Sequence, residues 1–301
     1  MTEPRHQPFP LGGEDGLPYS KGLMARALMG GGIAAERAYE LASRVEIDLV
    51  ARGEHAVDFK RLEELAVESL GAEEGPRAVR RLRRYRELQQ LDLPIILLVG
   101  GATGTGKSTV ATEAAHRLGI TRVTSTDFVR QTMRAFFSEE FMPSIHYSSF
   151  EAAAAGEGDV LAGFLDQTRN VLVGVRAALD RALHEGWSVV LEGVHLVPGM
   201  VPSSIEGALL VHCVLAVPDE EVHASNFWVR DAVSEGLRPV QKYLDALADI
   251  RLVQDVLVER ALREGVPVVE NGHVEQAIAA VIELVLASAE RLQPRVREVA
   301  G

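Results

Sequence analysis

The stretch from Leu97 to Thr109 constrains this chain more than any other. Residues 101–108 read GATGTGKS, which fits the pattern G-x-x-x-x-G-K-[ST] of a phosphate-binding loop. The apolar run Ile95–Val99 before it is typical of a buried parallel strand, and apolar residues recur at helical spacing after it. Because this strand–loop–helix context is the one that such a loop requires, a chance match of a Gly-rich turn is a poor explanation.

The residue types in this loop fit the chemistry of a nucleoside triphosphate. Glycines let the backbone curl around an anion, and the backbone N–H groups and the helix N-terminus attract its negative charge. We expect Lys107 to contact the β- and γ-phosphates of ATP and Ser108 to bind Mg²⁺. The predicted nucleotide-binding residues are Gly101, Ala102, Thr103, Gly104, Thr105, Gly106, Lys107, Ser108 and Thr109.

Charge and cysteine content exclude several other classes of protein. The 301 residues carry a formal net charge of -12, which argues against a nucleic-acid partner. Cys213 is the only cysteine, so an intrachain disulfide and a Cys-based zinc site are excluded, and its apolar surroundings predict a buried thiol. No apolar run approaches a membrane span and the N-terminus lacks the pattern of a signal peptide, so we predict a cytoplasmic protein without a membrane partner.

Periodicity predicts two domains. We expect a flexible lead-in over 1–18, a small all-helical domain over 19–91, an α/β domain over 92–292 and a tail over 293–301. Strand and helix patterns alternate in the α/β domain, which predicts a parallel sheet covered by helices on both faces. The five strand candidates are Ile95–Val99, Arg122–Ser125, Ser188–Leu191, Leu209–Val217 and Val266–Val269.

Polar residues follow the second and third strand candidates, at the edge where ligands bind in such sheets. Asp127, Arg130 and Arg134 share one helix face, so we interpret Asp127 as the residue that orients or deprotonates an acceptor hydroxyl. The two arginines would bind a phosphorylated acceptor; the alternative is a helix cap beside solvent-exposed arginines. Glu192 is predicted to hold Mg²⁺ through water, and the alternative is an acid paired with an arginine.

Other polar residues are weaker candidates for the acceptor site. The polar loop over residues 143–150 contributes His146, Ser148 and Ser149, for which an ordinary turn is nearly as good an explanation. His195 follows the third strand, and it either contacts the substrate or only closes a loop. His146, Ser148, Ser149 and His195 are therefore additional candidates for contact with the acceptor.

Five strands with a phosphate loop after the first resemble the nucleotide-kinase branch of P-loop proteins. That resemblance implies the strand order 2-3-1-4-5 and a lid at about residues 219–251. It also implies that Arg230 and Arg238 close from the lid over the transferring phosphoryl group, with Lys242 binding substrate nearby. Because Arg238-Pro239 interrupts the helical pattern of residues 219–265, we predict two helices there.

The N-terminal helical domain resembles an ATP-cone, a regulatory nucleotide-binding module. The resemblance rests on Pro18-Tyr19-Ser20-Lys21 and on Ala25-Arg26-Ala27-Leu28. An ATP-cone begins with a basic, Gly-containing turn, whereas residues 11–16 contain no basic residue. A domain that packs on the kinase core or forms a homo-oligomer is therefore an open alternative to nucleotide binding.

Short motifs spread over nearly the whole chain resemble the 2-phosphoglycerate kinase family. The family phosphorylates the hydroxyl of 2-phosphoglycerate with ATP to give 2,3-bisphosphoglycerate, and Lys242 and Leu247 depart from its pattern. The alternatives are a kinase of an inositol phosphate or another phosphorylated polyol, and an ATP-binding regulatory protein without an acceptor. The motifs are residues 19–26 (YSKGLMAR), 100–104 (GGATG), 125–127 (STD), 146–149 (HYSS), 191–195 (LEGVH), 243–244 (YL) and 250–251 (IR).

Overall fold

The computed structural model of the chain describes residues 19–151, 159–233 and 240–299, and the side chains of 230–233 and 293–299 are not described. The predicted lead-in over 1–18 lies outside the described residues. Contacts group the described chain into two compact units. One unit contains residues 19–92, 116–119 and 278–299, and the other contains 93–115 and 120–277.

The first unit is helical and begins with four helices. Ser20 caps the first helix by accepting from the N–H of Leu23, and Asp58 caps the third by accepting from the N–H of Arg61. Gly30 ends the first helix against the ring of Tyr85, where a Cβ would not fit. The four helices are α1 (Lys21–Gly30), α2 (Ala35–Arg52), α3 (Phe59–Leu70) and α4 (Glu74–Gln89).

The last helix of the chain, α11 (Val274–Val299), groups with this helical unit from residue 278 onward. The sequence boundary at 292 had placed that stretch in the α/β domain. Ala279 and Ile282 lie against Gly32, and the guanidinium of Arg84 forms ion pairs with Glu283 and Glu290. An amphipathic pattern shows that a helix has a buried face but not which neighbours bury it, so the sequence could not reveal this grouping.

The second unit contains a five-stranded parallel sheet in the order β2-β3-β1-β4-β5. This confirms the predicted sheet and its order. The residues of β1 are all buried, and Val99 pairs with Glu192 on one side and with Cys213 on the other. The phosphate loop therefore leaves the centre of the sheet. The strands are β1 (Ile95–Gly101), β2 (Val123–Ser125), β3 (Val189–Gly193), β4 (Leu209–Ala216) and β5 (Val268–Glu270).

Helices connect these strands. Three helices are described over residues 219–265, where the sequence predicted two, because Ala246 has φ -98° and ψ 10° and separates α9 from α10. Burial of Cys213 is confirmed, and it raises the pKa of the thiol to about 12. Every helix in the described part of the chain is too short or too polar to span a membrane. The helices are α5 (Lys107–Leu118), α6 (Thr126–Phe136), a 3-10 helix (Pro143–His146), α7 (Val160–His184), α8 (Glu220–Val233), α9 (Val240–Asp245) and α10 (Leu247–Glu264).

Candidate active site

The phosphate loop connects β1 to α5 as the sequence predicted. Gly104 and Gly106 have φ values of 84° and 76°, in the left-handed region that favours glycine. The ammonium of Lys107 donates to the carbonyl of Ala102 at 3.2 Å, and Thr105 Oγ1 donates to the same oxygen at 2.9 Å. Burial lowers the pKa of Lys107, although the nearby carboxylates of Glu192 and Asp127 oppose that shift.

Ser108 and Glu192 meet beside this loop because β1, which leads into the loop and Ser108, pairs with β3, which carries Glu192. Ser108 Oγ donates to Glu192 Oε1 at 3.0 Å, and Glu192 is 7% exposed. Mg²⁺ in kinases binds one or two protein oxygens together with phosphate oxygens and water, and this hydroxyl–carboxylate pair is a suitable donor set. Among the described residues, no group of three or more His, Cys, Asp or Glu side chains could form a separate metal site.

Asp127 lies in the first turn of α6, and Arg130 holds it there. Ser125 is the N-cap of α6, accepting from the N–H of Phe128 at 2.9 Å, so Asp127 is not the capping residue. Arg130 Nε and Nη2 donate to Asp127 Oδ1 at 3.0 and 2.8 Å. The side chain of Asp127 is 62% exposed and that of Arg130 is 6% exposed, so the carboxylate faces solvent from a buried support.

The same guanidinium also binds the backbone at the end of the 3-10 helix. Arg130 Nη1 donates to the carbonyls of Ile145 and Tyr147 at 2.9 and 2.7 Å. With the two bonds to Asp127, four of its five N–H donors are used inside the protein. Arg130 therefore connects Asp127 to the loop that carries Ser148 and Ser149.

His195 is fully buried and is held from both sides of its ring. Its Nδ1 lies 2.8 Å from Thr126 Oγ1 and its Nε2 lies 2.9 Å from Gln167 Oε1. The amide nitrogen of Gln167 donates to the carbonyls of Ser144 and Tyr147, so its oxygen accepts from His195 Nε2–H. Nδ1 then accepts from the hydroxyl of Thr126. Burial and the charge of Arg130 lower the pKa of His195 to about 3, so the ring is neutral at pH 7.

These elements enclose a polar cleft with a volume of about 350 Å³. The cleft joins the end of the phosphate loop to the start of α6, to the loop after the 3-10 helix and to the end of β3. It brings together nine of the predicted site residues. Its lining includes Thr103, Lys107, Ser108, Asp127, Arg130, Ser148, Ser149, Glu192 and His195.

Other predicted site residues lie outside the lining of this cleft. Arg134 is exposed and donates to Gln131, His146 Nε2 donates to the carbonyl of Phe137, and Lys242 forms an ion pair with Glu151 at 2.9 Å. The side chain of Arg230 and the whole of Arg238, the two arginines of the predicted lid, lie outside the described residues.

Several residues of the cleft were not among the predicted site residues. Ser125 and Tyr243, which the sequence placed only in the family motifs, line the cleft together with Gln131, and Gln167 accepts a hydrogen bond from the buried ring of His195. The sequence signal for Gln167 is weak but present: Gln167-Thr168 interrupts the buried apolar face of α7, where an amide must have hydrogen-bond partners.

Comparison with known proteins finds relatives that align with this chain over most of their length. The chain is 37% identical over 274 residues to a 2-phosphoglycerate kinase of Methanothermobacter thermautotrophicus, covering 88% of this chain and 89% of the relative. It is 36% identical over 272 residues to one of Thermococcus kodakarensis, covering 88% and 92%. It is 34% identical over 275 residues to one of Methanopyrus kandleri, covering 89% and 84%. The sequence matches no family model.

Proposed function

The chain belongs to the 2-phosphoglycerate kinase family, and we propose that it transfers the γ-phosphoryl group of ATP to the hydroxyl of 2-phosphoglycerate, giving 2,3-bisphosphoglycerate. The observation that carries the proposal is the shared cleft. A solvent-facing carboxylate, Asp127, lies in one cavity with the phosphate-loop residues Lys107 and Ser108. Neither a polyol phosphate kinase nor a regulatory protein without an acceptor is favoured by the relatives.

The contacts of the main cleft residues support a role for each of them. Lys107 and the loop N–H groups bind the triphosphate and stabilise charge that develops on the transferred group. Asp127 accepts the hydrogen bond of the acceptor hydroxyl and orients or deprotonates it. Arg130 fixes the direction of that carboxylate. His195 has both ring nitrogens engaged by protein groups, so we assign it to positioning Thr126 and the 144–147 backbone.

Ser108 and Glu192 would hold Mg²⁺. The ion, when bound, neutralises charge on the β- and γ-phosphates. The hydrogen bond between the two side chains holds these oxygens 3.0 Å apart beside the phosphate loop. Since Glu192 is nearly buried, its carboxylate depends on this hydroxyl and on the nearby Lys107 for stabilisation.

The acceptor would lie against the polar side chains of the cleft. The hydroxyls of Ser125, Ser148 and Ser149 and the amide of Gln131 line it and can donate to phosphate and carboxylate oxygens. Further positive charge would come from Lys242, whose neighbour Tyr243 lines the cleft, and from Arg230 and Arg238 of the predicted lid. Arg134 and His146 would need a change of conformation to take part.

The test measures ADP release across a panel of acceptors. With ATP and Mg²⁺, we expect 2-phosphoglycerate to give the highest kcat/KM, and 3-phosphoglycerate, glycerate and inositol phosphates to give much lower values. A preference for an inositol phosphate would replace the proposed acceptor with a polyol phosphate. ATP binding without ADP release for any acceptor would instead support the regulatory alternative.

A cytoplasmic location, a homo-oligomer formed through the helical unit and the lack of a nucleic-acid partner stay predictions from the sequence. So does nucleotide binding by the helical unit. Size-exclusion chromatography with light scattering would test the oligomer.

A further inference from the structure

Three side chains from outside the phosphate-loop motif donate to three consecutive carbonyls of that loop. His223 Nε2 donates to Thr103 O at 2.8 Å and Asn226 Nδ2 donates to Gly104 O at 2.9 Å. Asn271 Nδ2 donates to Thr105 O at 2.9 Å. His223 and Asn226 lie one turn apart on α8, whereas Asn271 follows β5 directly. We name these three residues the carbonyl clamp.

The clamp determines which way the peptide groups of the loop face. In a trans peptide, the carbonyl and the following N–H point in opposite directions, and no cis peptide is present among the described residues. Because the clamp binds the carbonyls of Thr103 and Thr105, the N–H groups of Gly104 and Gly106 point away from the clamp. Backbone N–H groups directed away from the protein are what a phosphate-binding loop offers to an anion.

A contribution to packing does not explain why polar residues occupy the buried clamp positions. His223 is fully buried and Asn271 is 6% exposed, yet His223 Nδ1 and Asn271 Oδ1 have no hydrogen-bond partner among the described residues. A buried polar atom without a partner is destabilising, and an apolar side chain of similar size would avoid that cost. The hydrogen bonds to the loop are the feature that an apolar residue could not supply.

Two glycines of the motif leave room for the clamp. A Cβ on Gly104 would lie 2.5 Å from the ring of Phe227 and 3.0 Å from His223 Nε2. A Cβ on Gly106 would overlap Asn271 Nδ2. Both glycines thus permit a positive φ and also let the clamp approach the loop from behind.

We propose that His223, Asn226 and Asn271 are positioning residues that hold the phosphate loop in its anion-binding conformation and so set the affinity for a triphosphate group. This inference rests on the nucleotide site of the proposed function but not on the identity of the acceptor. It predicts that weakening the clamp reduces binding of the triphosphate itself, whatever is attached to it.

The test compares His223→Leu and Asn226→Leu with the wild-type chain by calorimetric titration of ATP and of inorganic tripolyphosphate. Each variant loses one hydrogen bond to the loop, and we expect Kd to rise about tenfold for both ligands. His223→Gln keeps an N–H donor of similar reach, so its Kd should stay within about threefold of wild type. Ser225→Ala removes a hydrogen bond on the exposed face of α8, to Val222 O, and is the matched control.

Circular dichroism establishes that each variant is folded, and the half-buried Asn226 provides a second test if the His223→Leu variant does not fold. Unchanged tripolyphosphate affinity in a folded Leu variant would overturn the inference, and so would equal losses in His223→Gln and His223→Leu. A wild-type chain that binds neither ligand would overturn the proposed nucleotide site instead. A wild-type chain that binds both but does not phosphorylate 2-phosphoglycerate would leave the clamp supported and refute the acceptor.

Discussion

Replacement of Arg130 by Met separates two roles that a sequence cannot distinguish. The sequence predicted that Arg130 binds the acceptor, yet four of its five N–H donors are used by Asp127 and by the carbonyls of Ile145 and Tyr147. Met keeps an unbranched apolar stem like that of Arg and removes the guanidinium group with all of its donors. The substitution therefore tests whether Arg130 positions the site or binds the substrate.

The expected loss of stability follows from these contacts. Hydrogen bonds from a charged donor contribute about 1.5–3 kcal/mol each, and two of them reach backbone carbonyls from a buried guanidinium. Tyr147 O keeps its bond from Gln167, whereas Ile145 O loses the described partner. The pair with Asp127 adds little, because that carboxylate is 62% exposed. Because Met is uncharged, the variant avoids the cost of burying the guanidinium charge, which offsets part of this loss. We therefore expect a decrease of about 2–4 kcal/mol in the free energy of unfolding.

The kinetic effect should appear in kcat. Without Arg130, Asp127 loses its fixed direction while the phosphate loop stays intact. At saturating ATP, we expect kcat to fall at least about tenfold and KM for 2-phosphoglycerate to change less than about threefold. Urea unfolding and coupled ADP-release kinetics measure the two quantities on the same preparation.

Arg134→Met is the matched control, because Arg134 is exposed on the same helix and lies outside the lining of the cleft. Its free energy of unfolding should change by less than about 0.5 kcal/mol, and its kcat should equal that of wild type. A rise of tenfold or more in the KM of Arg130→Met for 2-phosphoglycerate, with kcat preserved, would refute the positioning role. It would indicate instead that Arg130 binds the substrate.

Four further predictions test other parts of the site. Lys107→Ala should lower kcat at least about a hundredfold while circular dichroism shows an unchanged fold, because its ammonium stabilises the transferred phosphoryl group. Glu192→Gln should raise the Mg²⁺ concentration that gives half-maximal rate, measured by metal titration of ADP release. Gly193→Ala should destabilise the fold in urea unfolding, since its φ is 151° and a Cβ would overlap Thr126 Oγ1. The pKa of His195 is about 3 in the folded chain and near 6.5 in the unfolded chain, so the unfolded chain takes up the proton at a higher pH. The free energy of unfolding should therefore fall as the pH falls from 6.5 toward 3, by at most about 1.4 kcal/mol per pH unit. His195→Gln, which can keep both hydrogen bonds, should weaken this dependence, and an unchanged pH profile of unfolding would contradict the assignment.

Local patterns in the sequence were sufficient for the phosphate loop and the sheet. The motif, the apolar run before it and the alternation of strands and helices are short-range features, and the structure confirms the parallel sheet and its order. Asp127 and Glu192 could be singled out because parallel strands end at one edge of a sheet, which makes their position predictable from the strand pattern alone.

The partners of buried polar side chains were decided by the tertiary structure. Arg130 and Arg134 look equivalent on a helical face, yet packing buries one and leaves the other in solvent. His195 finds its amide partner 28 residues away, and His223 reaches the phosphate loop across 120 residues. Hydrogen bonds require donor and acceptor within about 3 Å in a suitable direction. Sequence spacing sets such distances only within one helix or strand. The chemical groups of this site could therefore be identified from the sequence. The contacts that hold and orient them form only when the helices and strands pack together.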